Sequence, residues 1–273
     1  SKPSARDSLN IQFIIDAFKP KEESSNQKLE LKINSLSLAN GKFRYDVEDK
    51  PHKKGRFDEN HIYISNLNTR LTLKSVVSDS LNIQIKRLNL HEQSGLEIKN
   101  LSSRLLTQGK KASLRGFQLD LPNSSLKLNT FEVNLDSVAN YEFDCEVAPS
   151  YIAPKDISAF IPELKNFNDL LSVYVHTHGS LDDINVSEIS LKYGDDMKLL
   201  ASGEIKDIRD KDNLYTLGSI DNFTINKQCI DGLTNNFSAT RQILPSYITE
   251  VWIISFEGDL SGYLSQLTSF GSL

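Results

Sequence analysis

Residues 33–38 read Ile33-Asn34-Ser35-Leu36-Ser37-Leu38, and they contain the apolar pattern that decides the fold. An aliphatic residue is followed three positions later by a second apolar residue, and two positions after that by a third. The last two members alternate as in a β-strand, whereas the three-residue step predicts a kink or bulge. The pattern returns in Ile85/Leu88/Leu90, Leu114/Phe117/Leu119, Leu128/Phe131/Val133, Val186/Ile189/Leu191 and Ile220/Phe223/Ile225, with weaker copies that open at Ile64/Leu67 and Ile98/Leu101.

Repetition of one strand-corner-strand unit is typical of elongated, stacked β architectures. An apolar and a polar face recur in strand after strand, and such strands form either two packed sheets or one sheet that curls upon itself. Because only short helices are predicted to cover the sheet, we expect the curled sheet. At about 4.8 Å between neighbours, about sixteen strands would make a sheet of roughly 75 Å.

The predicted fold is therefore mainly β. We expect an elongated, curled antiparallel sheet, groove-like or taco-like and built from repeats, with a short N-terminal helix and one short internal helix. Residues 1–22 are predicted to form an amphipathic helix and a linker, residues 23–145 the first groove segment, and residues 146–273 the second. The internal helix is expected near residues 156–167, and the second segment is expected to continue in a longer protein.

The N-terminal helix, from Asp7 to Phe18, has two interpretations. It can pack on the end of the β-core, or it can lie at a membrane surface or at the mouth of an apolar groove. Its apolar residues gather on one side, which is compatible with both.

Composition excludes several classes of protein. The 273 residues include 38% hydrophobic and 25% charged residues, which is typical of folded domains rather than of disordered or membrane-embedded chains. The net charge of −5, without a basic stripe interleaved with aromatics, argues against a nucleic-acid partner. Two cysteines, Cys145 and Cys229, are too few for a disulfide framework, and they are either free thiols or one bridge.

The sequence contains no motif that predicts catalysis. It lacks the G-x-S-x-G, P-loop, H-E-x-x-H and G-x-G-x-x-G patterns, so we predict no enzyme and no cofactor. His176 and His178 share one face of a predicted strand, but a third and fourth metal ligand are not spaced nearby. Asp182 and Asp183 follow a glycine in a context typical of turns. We therefore predict no metal site.

The collective apolar stripe is the feature that points to a function. These side chains either pack against one another in a closed core or line a groove that holds a ligand. The length of the sheet and the shortage of covering elements favour the groove. Acyl chains suit such a groove, because each buried CH₂ is worth about 0.8 kcal/mol and needs no directional contact.

Three segments carry a resemblance to a known family. The stretches Ile33–Asp46 and Gly179–Leu191 resemble the repeated unit of the TamB/AsmA-like family, and Asp156–Phe167 resembles the short helix that lies between its groove segments. The start, from Ser8 to Pro20, is similar to the region after the membrane anchor in the Bacteroidetes-type members. The anchor helix and the characteristic C-terminal domain of the family are not recognisable in this sequence.

The resemblance implies a non-enzymatic protein of outer-membrane biogenesis. Such proteins are anchored in the inner membrane, cross the periplasm as an open β-groove and are similar to bridge-like lipid-transfer proteins. The partners implied are phospholipid, the inner membrane through an anchor and, for some members, a BamA-type outer-membrane barrel. Phe13 and Phe18 would lie at the lipid entrance, and the predicted groove residues are Leu31, Ile33, Leu36, Leu38, Leu71, Leu73, Ile83, Ile85, Leu88, Leu90, Leu114, Phe117, Leu119, Leu126, Leu128, Phe131 and Val133.

Two other functions remain open at the level of sequence. One is a scaffold or chaperone whose sheet edges pair with strands of client outer-membrane proteins. The other is an enzyme or carbohydrate-binding solenoid, which would show clusters of aromatic and carboxylate side chains that this sequence lacks.

Overall fold

A computed structural model describes residues 31–77, 80–134, 141–180, 182–210, 213–237, 250–263 and 266–272. They form one antiparallel sheet of thirteen strands, each paired with its neighbours in chain order, and the sheet is not closed. The mainly β, single-sheet prediction is confirmed. The predicted N-terminal helix, with Phe13 and Phe18, lies outside the described residues.

The strand bounds follow chain order. They are β1 (Leu31–Asp46), β2 (His61–Val77), β3 (Ser80–Glu92), β4 (Glu97–Gln108), β5 (Lys111–Asp120), β6 (Ser125–Asn134), β7 (Glu142–Ile152), β8 (Leu171–Ser180), β9 (Asp183–Tyr193), β10 (Met197–Lys206), β11 (Tyr215–Asn226), β12 (Ile253–Tyr263) and β13 (Gln266–Ser272).

Each copy of the apolar pattern coincides with an irregularity in strand pairing, which confirms the predicted bulges. The pairing shifts between Ile33 and Leu36, between Ile85 and Leu88, and between Ile220 and Phe223. The other copies show the same mismatch of one residue against their partners. The chain runs through each bulge as one bent strand, so the described residues hold thirteen long strands rather than about sixteen shorter ones.

Asparagines stabilise the bulges of the first strands. Asn40 and Asn66 adopt left-handed backbone with φ of 51° and 52°, a conformation that asparagine tolerates better than most residues. The Asn68 side chain accepts a hydrogen bond from the Asn40 amide at 2.8 Å and donates to the Asn66 carbonyl and to Asn89. Side-chain amides thus replace ladder hydrogen bonds where β1, β2 and β3 bend.

The longest connections lie at one end of the strands. β1 to β2 is joined by residues 47–60, β7 to β8 by residues 153–170, and β11 to β12 by a segment that begins with helix α1 (Lys227–Asn236). All three leave and enter the sheet at the same end, which we name the long-loop margin. At the opposite end the chain passes from β2 to β3 and from β4 to β5, and we name this end the hairpin margin.

The internal helix predicted near residues 156–167 is present as two 3₁₀-helices, η1 (Pro154–Ile157) and η2 (Pro162–Asn166). Proline occupies the first turn of each, where its fixed φ favours helix and its missing N–H is not needed. The prolines so close together limit each helix to about one turn. Among the described helices, none is long and apolar enough to cross a membrane.

Candidate functional site

The strand registers align apolar residues into rows that run across the sheet. Residues directly opposite in an antiparallel pair point to the same face, so each row is a strip of neighbouring side chains. Three rows cross the first strands: Ile33, Leu73, Ile83, Leu105 and Leu114; Leu36, Leu71, Ile85 and Ser103; and Leu38, Thr69, Leu88, Leu101, Leu119 and Leu126.

The rows continue on the same face through the later strands. Leu128 alternates with Leu126 on β6 and begins a row that reaches β11. Its members are Leu128, Val147, Val175, Ile189, Ala201 and Ile220. Two further rows are Val173, Leu191, Leu199, Phe223 and Phe256, and Leu171, Tyr193, Met197, Ile225 and Ile254. We name this side of the sheet the apolar face.

The part of the apolar face on β1–β6, which we name the open section, has little covering it. Leu38 is 44% exposed, and most of the other row members are half-buried by one another. Leu73, near the centre of its row, is buried. The main contacts of β1–β6 with helices and strands are with neighbouring strands of the sheet. At their long-loop margin two connections meet, where the Phe57 amide donates to the Ala159 carbonyl and the Phe57 and Phe160 rings lie 5.0 Å apart. In the described residues, no helix packs on the open section as α1 and η2 pack on the covered section.

The part of the apolar face at the long-loop margin of β8–β12, which we name the covered section, is buried under α1 and η2. The buried cluster there consists of Phe167, Tyr193, Ile225, Cys229 and Ile230. Half-buried side chains that include Leu164, Leu171, Met197 and Leu233 pack around it. The sequence led us to expect no covering layer, and at this margin the expectation is wrong.

Helix α1 is held in place at its first residue. The Asn226 side chain accepts a hydrogen bond from the Cys229 amide at 3.0 Å, which is an N-cap, and donates to Asp196. Burial, with a smaller effect of the Asp196 charge, raises the pKa of the Cys229 thiol to about 11. Burial also raises the pKa of Tyr193, whose hydroxyl accepts from the Asp169 amide at 3.1 Å. Thiol and hydroxyl pKa values that burial raises are typical of side chains in a packed core rather than in a reactive site.

Sequence reasoning missed the residues that cover the sheet. Cys229 and Ile230 lie three and four residues after an N-capping asparagine, a signal of helix start that we did not use. Phe167 fell at the end of the predicted internal helix, but its contact with Tyr193 joins residues far apart in sequence.

The members of the predicted groove set from Ile33 to Val133 lie on the apolar face. Most belong to the rows above, and Leu90, Phe117, Phe131 and Val133 join them by alternation or by pairing. Leu31 pairs with Val76 at the start of β1. Their placement on one face follows from the registers, and their contact with lipid stays a prediction.

Ser103 interrupts the middle row with a polar atom. It lies opposite Ile85, is buried, and its hydroxyl has no hydrogen-bond partner within the described residues. A buried hydroxyl without a partner costs free energy, so Ser103 does not contribute to the stability of the row.

The polar face carries the other residues that the sequence singled out. His176 lies 3.7 Å from Asp144, and His178 lies 3.3 Å from the Ser187 hydroxyl. Their rings are 6.0 Å apart, each with a different partner, and they do not converge on a common point. Asp182 accepts hydrogen bonds from Arg209 and closes a turn. The two cysteines lie elsewhere, Cys145 opposite Phe131 of β6 and Cys229 in α1, and both are free thiols.

A cavity of about 740 Å³ also lies on the polar face, at the hairpin margin of β2–β7. Its lining includes a row of paired residues, Asn82, Leu106, Ser113, Glu132 and Asp144. Six consecutive strands surround this space, so the polar face is concave there. Because polar and charged side chains dominate the lining, the cavity is chemically distinct from the apolar face.

The comparisons with known proteins add no relative. No protein-family model, no curated protein and no solved structure matches this chain. The resemblance to the TamB/AsmA-like family therefore rests on the residues quoted above, and the geometry of the apolar face is the basis for a functional proposal.

Proposed function

We propose that this chain is a non-enzymatic periplasmic protein that binds lipid acyl chains along its apolar face. In this proposal it forms part of a route for phospholipid between the inner and outer membranes. The observation that carries the proposal is the open section of the apolar face, where three mainly aliphatic rows cross four, five and six of the strands β1–β6 and no described helix packs on them as α1 packs on the covered section.

The dimensions of the open section suit an acyl chain. The row from Leu38 to Leu126 crosses six strands and, at about 4.8 Å spacing, is about 24 Å long, so an extended chain can lie along it. The side chains are aliphatic and differ little in chemistry, so they offer contact area without a directional requirement. Each CH₂ that leaves water contributes about 0.8 kcal/mol, and a whole chain therefore binds through many small contributions.

An apolar strip of this size that is exposed to water is also expected to bind something that covers it. Contiguous apolar patches larger than a few hundred Å² are uncommon on monomeric soluble proteins and mark binding surfaces. In the covered section, α1 and η2 of the same chain pack on the apolar face and cover it. A lipid would cover it in the open section.

The test is lipid analysis of the purified chain by native mass spectrometry without harsh detergent. We expect bound phospholipid in the wild-type chain and its loss in the double variant Leu88→Asp/Leu119→Asp. The control is Ser37→Asp, which places one such carboxylate on the polar face opposite Arg70. A lipid-free wild-type protein, or equal lipid content in all three proteins, would contradict the proposal.

A second candidate is a scaffold that pairs with client strands, and the last strand favours it. All seven residues of β13 are exposed, and Phe270 is 84% exposed. Within the described residues β13 pairs with β12 alone, and a strand with one unpaired side is a template for strand addition. Leu267→Lys/Phe270→Lys should then abolish capture of a fluorescent client β-hairpin peptide and leave lipid content unchanged. Under the lipid proposal, capture is not expected in either protein.

A further inference from the structure

A group of three potential metal ligands lies at the long-loop margin, away from the apolar face. His52, Asp58 and His61 come from the connection between β1 and β2 and from the first residue of β2. One potential ligand atom from each residue lies within 4.8 Å of the other two. His61 is 2% exposed and Asp58 is 3% exposed, although both carry polar groups that are costly to bury.

The Asp58 carboxylate is fixed in position by backbone amides. Its two oxygens accept hydrogen bonds from the Lys53 amide at 2.7 Å and from the Asn60 amide at 3.1 Å. Each carboxylate oxygen has a second lone pair, so these bonds leave capacity for a cation. Carboxylates that ligate metals are commonly held by such outer hydrogen bonds.

The His61 ring is oriented in the same way. Its Nε2 lies 2.9 Å from the Lys50 carbonyl oxygen, so this nitrogen donates its proton to the backbone. A histidine that donates one N–H to a carbonyl presents its other nitrogen as a metal ligand, which is the usual arrangement in metalloproteins. In His61 that other nitrogen is Nδ1.

The group that faces His61 Nδ1 is also an acceptor. An oxygen of the Asp46 carboxylate lies 3.3 Å from Nδ1. A lone pair of a neutral ring and a carboxylate repel each other unless a proton or a cation lies between them. For Zn²⁺ with bonds of about 2.0–2.1 Å, neighbouring ligand atoms of a tetrahedral site are about 3.4 Å apart, close to the observed separation.

His52, the remaining member of the group of three, is exposed and stacks on His61 with ring centroids 3.6 Å apart. In this stacked arrangement the two rings lie nearly parallel, so His52 must turn about its side-chain bonds to direct a nitrogen at an ion bound by His61. Its exposure leaves room for that rotation.

We propose that His52, Asp58 and His61, with Asp46 beside them, form a binding site for a divalent transition-metal ion such as Zn²⁺. Two imidazoles and carboxylates are ligands that favour Zn²⁺, Co²⁺, Ni²⁺ or Cu²⁺ over Mg²⁺ and Ca²⁺. The bound ion would fix the connection 47–60 to the start of β2. The site does not depend on the proposed lipid function, because its ligands lie at the strand ends rather than in the rows.

The test is metal binding by the untagged chain after removal of metal with a chelator. We expect one Zn²⁺ per chain by isothermal titration calorimetry, a visible absorption band of tetrahedral type with Co²⁺, and a rise in melting temperature with Zn²⁺ but not with Mg²⁺. His52→Ala should weaken Zn²⁺ binding by about tenfold or more, since it removes a ligand. Because His52 is exposed, its loss should leave the melting temperature of the metal-free protein unchanged.

The matched control is His91→Ala, which removes a histidine that pairs with Glu97 outside the cluster. This variant should bind Zn²⁺ as the wild type does. Absence of Zn²⁺ binding in the wild type would show that a proton, not a metal, separates His61 from Asp46, and would overturn the proposal. Equal binding by wild type and His52→Ala would overturn it as well.

Discussion

Leu38 of β1 and Ile225 of β11 lie on the same face of one sheet, yet 44% of Leu38 is exposed and only 7% of Ile225. The difference does not arise from the strands, which place both side chains in apolar rows. It arises because α1 and η2 pack over Ile225, whereas no described element packs over Leu38. One face therefore serves as a core at one place and as a surface at another.

The first prediction follows from this contrast. Ile225→Ala should lower the free energy of unfolding by about 2–4 kcal/mol, because it leaves a cavity in a packed cluster. Leu38→Ala should cost less than about 1 kcal/mol, because much of the side chain is already in water. Urea denaturation followed by circular dichroism measures both. Equal costs would show that Leu38 is covered in solution by some other element or chain.

The second prediction concerns pH and the carboxylate of Asp120 at the end of β5. Burial raises its pKa, but hydrogen bonds from Gln118, Ser125 and Asn100 outweigh burial and hold the pKa below its usual value. A carboxylate with a lowered pKa in the folded state adds stability above its unfolded pKa. That stability is lost as the pH falls through the lower, folded pKa.

Asp120→Asn should therefore cost about 1 kcal/mol of stability at neutral pH, and this cost should shrink as the pH falls through the lowered, folded pKa of Asp120. Urea denaturation at a series of pH values measures the difference between the two proteins. The control is Asp195→Asn, which changes an almost fully exposed carboxylate. A difference that stays constant down to low pH would mean that the hydrogen-bonded charge of Asp120 is not the cause.

The third prediction compares two glycines of the sheet. At Gly203 a Cβ would lie 2.4 Å from the Leu217 carbonyl oxygen and 2.6 Å from the Gly218 Cα, so an alanine there must separate β10 from β11. At Gly116 the backbone is left-handed with φ of 60°, but a Cβ would meet no atom within 4 Å.

Gly116→Ala should therefore cost only the backbone penalty of about 1–2 kcal/mol. Gly203→Ala should cost more and should increase amide hydrogen exchange in β10 and β11 specifically. Thermal unfolding together with hydrogen exchange measures both effects. A milder effect at Gly203 than at Gly116 would show that the close approach of these two strands is not maintained in solution.

The bulges and the apolar face could be predicted from the sequence because both are local. The three-residue step from Ile85 to Leu88 indicates the bulge. In a regular strand two side chains three residues apart point to opposite faces, so an extra residue is needed to place both on the apolar face with Leu90. The strand count was too high for the same reason, because a bend inside one strand resembles a boundary between two.

The covering elements and the histidine cluster could not be predicted, because their contacts are not local. Phe167 contacts Tyr193 at the end of the second strand that follows it and packs with residues of α1 after the fourth, and the local pattern of the sequence does not indicate either contact. His52, Asp58 and His61 stand in an irregular connection without a known ligand spacing. Their convergence depends on how the loop folds back on the strand ends.

The fourth prediction tests whether α1 remains docked on the covered section. Cys229, in the first turn of α1, is almost fully buried in the cluster between α1 and the sheet, and burial raises the pKa of its thiol to about 11. Because only the thiolate reacts with maleimide, a pKa two units above that of an ordinary thiol lowers the reactive fraction about a hundredfold near pH 8, before steric protection is counted. In Cys145→Ser, where Cys229 is the remaining cysteine, native labelling should be at least about a hundredfold slower than labelling in denaturant.

The same labelling rate of Cys229 is then measured with phospholipid vesicles added. If lipid occupies only the open section, α1 keeps its contacts with Ile225 and the labelling rate of Cys229 should not change when vesicles are added. A faster rate with vesicles would mean that the covered section opens to lipid and that α1 acts as a lid over the apolar face. Fast labelling of Cys145→Ser without vesicles would contradict the docking itself, because Cys229 is then the remaining thiol that can react.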